Sequence, residues 1–212
     1  MKKGIALIMA LILSVLLLGC EEAATYATAD DAKAALNGQG VITIGGDFSE
    51  ANQASDIRVD GTFAGFMRET GLINGKWTIS ANYEEWFYAK YVTDEPVNHQ
   101  EGVNSGSTLG FYDMDDNCLG YAQERVDPNW DNAYIVYFLD PDFTPTGLYA
   151  SEDCKTLWDD SETVLAEGDI DWSYSSDMCT ITITPTGGKD VPLYAKIAMY
   201  VKLYYEANML KM

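Results

Sequence analysis

From Val41 onward the chain is written in short apolar runs separated by turn residues, which is the pattern of strands and not of helices. Val41-Ile42-Thr43-Ile44 is rich in β-branched residues and stops at Gly45-Gly46, while Ile57, Val59, Gly61 and Phe63 alternate with polar or small neighbours. Asn74-Gly75 lies between two apolar runs and predicts a two-residue hairpin, because both residues tolerate the positive φ such a turn demands. Residues 86–92 (WFYAKYV) carry aromatic groups on both faces, and residues 133–139 (AYIVYFL) are apolar enough for a central strand. Asp115-Asp116-Asn117 separates two further strand patterns and predicts another hairpin.

The C-terminal third continues in the same way. Residues 179–184 (CTITIT) alternate strictly, and Pro185 to Asp190 turn the chain. Leu193, Ala195, Ile197, Met199, Val201 and Leu203 then hold every odd position, with Tyr194, Lys196, Ala198, Tyr200, Lys202 and Tyr204 between them. Period two predicts a strand over Val191–Tyr205, with an apolar inner face and an outer face that puts Lys196 and Lys202 at the surface. A helix opened by Pro192 is the rival reading, since Ala, Leu, Met and Lys favour helices.

These segments predict one all-β domain over residues 41–212. Its expected form is a single antiparallel β-sandwich, with a closed β-barrel as the alternative. No fixed-period repeat points to a propeller or a solenoid. Residues 20–40 are rich in Ala, Thr and Asp and read as a tether. Within it, Asp30 is expected to cap a short helix over Asp31 to Leu36, which Asn37-Gly38 ends. Trp77 and Trp86 are expected in the core.

The first nineteen residues have the layout of an export signal: Lys2 and Lys3, then an apolar stretch from Ile5 to Leu18 broken only by Ser14. The stretch is short for a permanent membrane span. It ends in Leu17-Leu18-Gly19-Cys20, which resembles the lipobox of bacterial lipoproteins, in which the cysteine is lipidated and becomes the new N-terminus. Leu18 stands where a smaller residue is usual. The resemblance covers only this leader. It implies a protein of the bacterial cell envelope, held on a membrane by acyl chains on Cys20, and Glu21 after the cysteine points to the outer membrane over the inner. More than one acyl chain suffices for stable attachment.

Composition narrows the function. The chain has 33 acidic and 13 basic residues, a formal charge of −20, and loss of Lys2 and Lys3 with the leader takes it to −22. Such a charge excludes roles that depend on attraction to nucleic-acid phosphates. A single histidine excludes multi-histidine metal sites. At 47% apolar residues the chain can bury one substantial core.

Four groups of residues carry candidate chemistry. Beyond Cys20 the cysteines are Cys118, Cys154 and Cys179, an odd number in a compartment that permits disulfides. Cys154–Cys179 is the expected bridge, with Cys118–Cys154 as the other pairing. Asp113, Asp115, Asn117 and Glu124 stand at the first, third, fifth and twelfth positions of a calcium-loop spacing, although Cys118 replaces the glycine such a loop uses for its sharp turn. The paired carboxylates Glu84-Glu85, Asp159-Asp160 and the group Asp169, Asp171 and Asp177 have the residue type glycoside hydrolysis needs. Trp130 and Trp158 sit in polar surroundings that suit an aromatic platform for a sugar ring. His99 lies in a polar loop ahead of Ser105 and Ser107, without the turn or the framework of a serine hydrolase.

No catalytic constellation stands out. The expected function is therefore a membrane-anchored envelope lipoprotein whose exported β-domain is a non-enzymatic binding or structural module, with an envelope protein or a glycan as partner and no cofactor. A calcium-supported carbohydrate-binding module is the first alternative, and a carboxylate-dependent envelope hydrolase the second.

Overall fold

The computed structural model describes residues 24–47, 54–70, 75–92, 103–127, 133–173, 178–187 and 189–209. Helix α1 (Ala29–Asn37) precedes the strands β1 (Ile42–Asp47), β2 (Ala54–Val59), β3 (Thr62–Thr70), β4 (Lys76–Ala81), β5 (Glu84–Tyr91) and β6 (Val103–Asp113). There follow β7 (Cys118–Asp127), β8 (Ala133–Leu139), β9 (Pro145–Ser151), β10 (Thr156–Asp159), β11 (Val164–Ser173) and β12 (Met178–Pro185), and then helix α2 (Leu193–Met209). Each strand pairs antiparallel with its neighbours in sequence. β1 also pairs with β12, from Ile42↔Ile183 to Asp47↔Met178, so the sheet closes on itself.

The architecture is a closed up-and-down barrel of twelve strands, and the expected sandwich is overturned. Both folds are built from the same alternating strands. They differ in whether the first strand meets the last, and that long-range pairing has no local signature.

The expected strand over Val191–Tyr205 is also overturned, because the segment from Leu193 is helical. Its backbone starts at the Pro192 carbonyl, which accepts from the Ala195 and Lys196 amides. Period two misleads here because the segment is buried on every side: Leu193, Ala195, Ile197, Ala198, Met199, Tyr200, Val201 and Leu203 are all in the core. A helix apolar all round belongs in an interior. Eight strands enclose a space that side chains alone can fill, whereas twelve enclose more. Helix α2 takes up that space. The Tyr194 ring packs against Phe111 of β6 and Phe138 of β8, and one core joins α2 to inward residues of every strand, among them Ile44, Ile79, Val136 and Ile181.

Two glycines on the inner wall make room for the helix. A Cβ on Gly168 would lie 2.7 Å from Leu203 Cδ1 and 3.3 Å from Met199 Cε. One on Gly120 would lie 2.8 Å from the Leu139 carbonyl oxygen and 3.4 Å from the Tyr194 ring.

Residues 24–40, read as a tether, belong to the barrel. Helix α1 starts two residues before the expected helix, and its N-cap is Thr28, whose Oγ1 accepts from the Asp31 amide. It ends at Gly38 as the Asn-Gly pair predicts, and it buries Ala32 and Leu36 completely. The last carbonyls of a helix have no partner within it. Here Lys196 of α2 donates to the Leu36 and Gly38 carbonyls at 3.2 and 2.6 Å. The surface position expected for Lys196 is thus overturned, since it is fully buried. Burial draws its ammonium down to about 8, with Asp190 pulling the other way. Trp77 is buried as expected, and Trp86 packs at the edge of the core, where Lys33 of α1 lies over its ring.

Because the strands alternate in direction, their connections fall into two sets. The turns at Asp60-Gly61, Asn82-Tyr83, Met114–Asn117, Asp140–Thr144 and Asp160–Thr163 share the rim that α1 covers. Asp60, Asn82 and Asp116 adopt φ of 49°, 53° and 64° there, a region that Asn and Asp tolerate better than most residues. The opposite rim takes the remaining connections, including the longest, between Tyr91 and Val103.

Two outcomes check this packing. Gly168→Val should crowd α2 and cost about 1–3 kcal/mol in chemical denaturation. For Lys196 the folded ammonium titrates below its unfolded value of 10.5, so between about 8 and 10.5 the unfolded chain binds more protons and stability rises with pH. Wild type should therefore gain stability relative to Lys196→Met as pH rises from 8 towards 10, as read by paired denaturation curves.

Candidate functional site

With the lumen filled by α2, a binding surface has to be sought on the outer wall and the rims. On β7 to β10 the strand register sets a row of outward residues side by side. Gln123 lies opposite Tyr137, Tyr137 opposite Tyr149, and Tyr149 opposite Trp158. Alternation explains the row: Ala122, Val136, Phe138, Ala150 and Leu157 turn into the core, so the residues between them turn out. The Tyr137 and Tyr149 rings meet edge to face with centroids 5.1 Å apart. The Arg125 guanidinium lies over Tyr137 at 5.0 Å and donates through Nε to Gln123 Oε1 at 2.9 Å. Gln123 in turn donates to Thr108 at 3.1 Å.

Two residues further along the strands, Ile135 lies opposite Ser151. Here the wall opens into a cleft of about 590 Å³ on the rim away from α1, lined by Ala133, Tyr134, Ile135, Ser151, Glu152, Asp153 and Lys202. The Ser151 hydroxyl donates to Asp153 at 2.6 Å. Burial works against the charge on Asp153, yet this bond and the Lys155 amide hold its carboxyl below the ordinary value. At the cleft, Lys202 of α2 forms an ion pair with Glu124 of β7, and both side chains are mostly buried. Its expected surface position is therefore overturned as well. Burial lowers its ammonium to about 8.

A second aromatic group lies on β5 and β6. Tyr88 stacks on Tyr112 at 5.3 Å, with Lys76 3.9 Å from the Tyr88 ring and Lys90 4.7 Å from the Tyr112 ring. The Tyr88 hydroxyl donates to Asp116, and burial together with that carboxylate pushes its pKa up to about 12.

The sequence candidates are dispersed. Asp113, Asp115 and Asn117 do meet in the β6–β7 turn, but as a self-contained knot. Asp113 Oδ1 accepts from the Asp115 and Asn117 amides, and Asn117 Nδ2 donates to Oδ2. These bonds, that of the Asn117 side chain first, hold the Asp113 carboxyl below its ordinary value. Glu124 is far along β7 and is paired with Lys202, so the four do not converge. Among the described residues no group of three or more His, Cys, Asp or Glu is placed to hold a metal ion.

Trp158 lies within β10, half-buried on the outer wall, and not in a loop. Trp130, His99 and Asp177 fall outside the described residues, and so does Cys20. Cys154 precedes β10 and Cys179 is in β12, with β11 between them. Both side chains are buried, and no disulfide is formed among the described cysteines. Cys118 is on the α1 rim and Cys154 on the other, so that pair is not brought together either. Glu84 and Glu85 are exposed at the start of β5, and Asp169 and Asp171 on the outside of β11. Asp159 is buried and held well below the usual carboxylate range by Lys189, then by Ser161.

Arg125, Tyr137 and Tyr149 are the residues the sequence reading missed. The alternation in residues 133–139 carried the signal for Tyr137, but which strand would lie beside it did not. No family model matches the chain, nor does any curated protein or solved structure.

The Glu124–Lys202 pair offers a check on the cleft. Glu124→Leu or Lys202→Met alone leaves a largely buried charge without its partner and should cost about 3–5 kcal/mol. The double variant should recover most of that loss in a double-mutant cycle of unfolding free energies.

Proposed function

We propose that this protein is a lipid-anchored lipoprotein of the bacterial envelope, most consistent with the outer membrane, whose barrel is a non-enzymatic binding module. The observation that carries the reading is the outward row Tyr137–Tyr149–Trp158, two residues along the strands from the cleft at Ser151, Glu152 and Asp153. A filled lumen supports an outer-wall site over an internal one. The chemistry of the wall suits a carbohydrate: aromatic faces and edges take the apolar side of a sugar ring, and hydroxyl and carboxylate groups at the cleft take its hydroxyls. Arg125 adds a fixed cation beside Tyr137. Calcium is not required by this reading, because Asp113 is already occupied within its turn. The anchor rests on the leader and on Cys20.

Two measurements test it. In a calorimetric screen against a panel of neutral and acidic oligosaccharides, wild type should bind at least one. Trp158→Ala and Tyr149→Ala should each weaken that binding about tenfold, or about 1.4 kcal/mol, with no change on adding a calcium chelator. Binding unaffected by either substitution would move the site elsewhere. In cells, Cys20→Ser should leave an unprocessed precursor or release soluble protein, and normal processing with membrane retention would defeat the anchor.

A further inference from the structure

The chain leading from Cys20 reaches the barrel at one definite place. The Phe63 amide donates to the Ala24 carbonyl at 2.8 Å, and the Tyr26 amide donates back to the Phe63 carbonyl at 3.2 Å. These bonds fix residues 24–26 at the start of β3, on the rim that α1 covers. An extended chain spans at most about 3.6 Å per residue, so Cys20 lies within about 15 Å of Ala24. With acyl chains on Cys20, the anchor of the function proposed above on which this inference rests, that rim cannot stray far from the bilayer.

The same rim presents apolar side chains to solvent. Tyr83 at the β4–β5 turn is 72% exposed, and its ring rests on half-buried Phe66 and buried Phe63 with centroids 5.7 and 5.8 Å away. Met114 at the tip of the β6–β7 turn, Leu119 just beyond it and Val164 at the start of β11 are also exposed. Of the exposed large apolar residues described, only Tyr134 and Met178 belong to the opposite rim. Between the apolar tips lie Asp60, Glu84, Glu85, Asp113 and Asp115, and α1 and the remaining turns of this rim add further exposed carboxylates, among them Asp31, Asp142 and Glu162.

We propose that this rim is a membrane-contacting surface, with the Tyr83 ring seated at the headgroup level of a bilayer whose contacted leaflet is zwitterionic. Amphipathic rings prefer that level, since one end is apolar and the other can stay wet. The carboxylates between the tips remain in the hydrated headgroup layer, and a strongly anionic leaflet repels them. The barrel then stands end-on, with the cleft at Lys202 and Ser151 facing away from the membrane.

The test uses the full-length lipidated protein in phosphatidylcholine vesicles, with brominated acyl chains as a depth-dependent quencher. Tyr83→Trp should add a quenchable fluorescence component absent from wild type, and Tyr134→Trp on the opposite rim should add an unquenched one. Replacing half the lipid with phosphatidylglycerol should reduce the Tyr83→Trp quenching. If protein floats with the vesicles but Tyr83→Trp gains no quenching, or gains no more than Tyr134→Trp, the docking surface is overturned while the anchor stands. If the protein does not float at all, the anchor fails and the docking geometry with it.

Discussion

The fold depends on filling a twelve-stranded lumen with something apolar. Closing the β1–β12 seam removes both sheet edges, but it encloses more space than inward side chains can occupy. Helix α2 resolves this by burying apolar side chains on every side, with Lys196 and Lys202 each held by a partner. Each aliphatic side chain it buries, such as Ile197, Val201 and Leu203, contributes about 1.5–3 kcal/mol relative to exposure. The glycines at 120 and 168 are the wall's half of that fit. The seam and the helix therefore stabilise each other.

Lysine 196 ties a second element to this core. Its aliphatic stem lies among apolar neighbours, and its ammonium reaches the end of α1, where two carbonyls would otherwise be buried without donors. This contact joins α1 to α2 across some 160 residues of sequence. It makes α1 a lid on one rim and not a loose leader to the barrel.

Much of the barrel was legible in the sequence, and the failures have physical causes. The runs at Ile42–Ile44, 133–139 and 179–184 all became strands, and Asp115-Asp116-Asn117 became a turn, because alternation and turn chemistry are local properties. Asn74 lies outside the described residues. The C-terminal segment was misread because period two and a helix buried all round both place apolar residues at every odd position of a short window. Lys196 and Lys202 were misplaced for the same reason, since a lysine in such a segment looks like a surface marker until its carbonyl or carboxylate partner is known. The candidate wall was only half visible. Trp158 was singled out for its polar neighbours, but Tyr137, Tyr149 and Arg125 became its companions through strand register, which no short stretch encodes.

The position of α2 in the chain also bears on when the protein can fold. The helix follows the twelve described strands, and β1 must wait for β12, so neither the seam nor the filling exists until the chain through α2 is present. Contacts this distant in sequence slow folding, because loop entropy is spent before the contacts form. For the exported lipoprotein proposed above, that delay is useful. A polypeptide threaded through a narrow translocation channel must remain unfolded, and this topology withholds its stable state until the C-terminal helix has crossed.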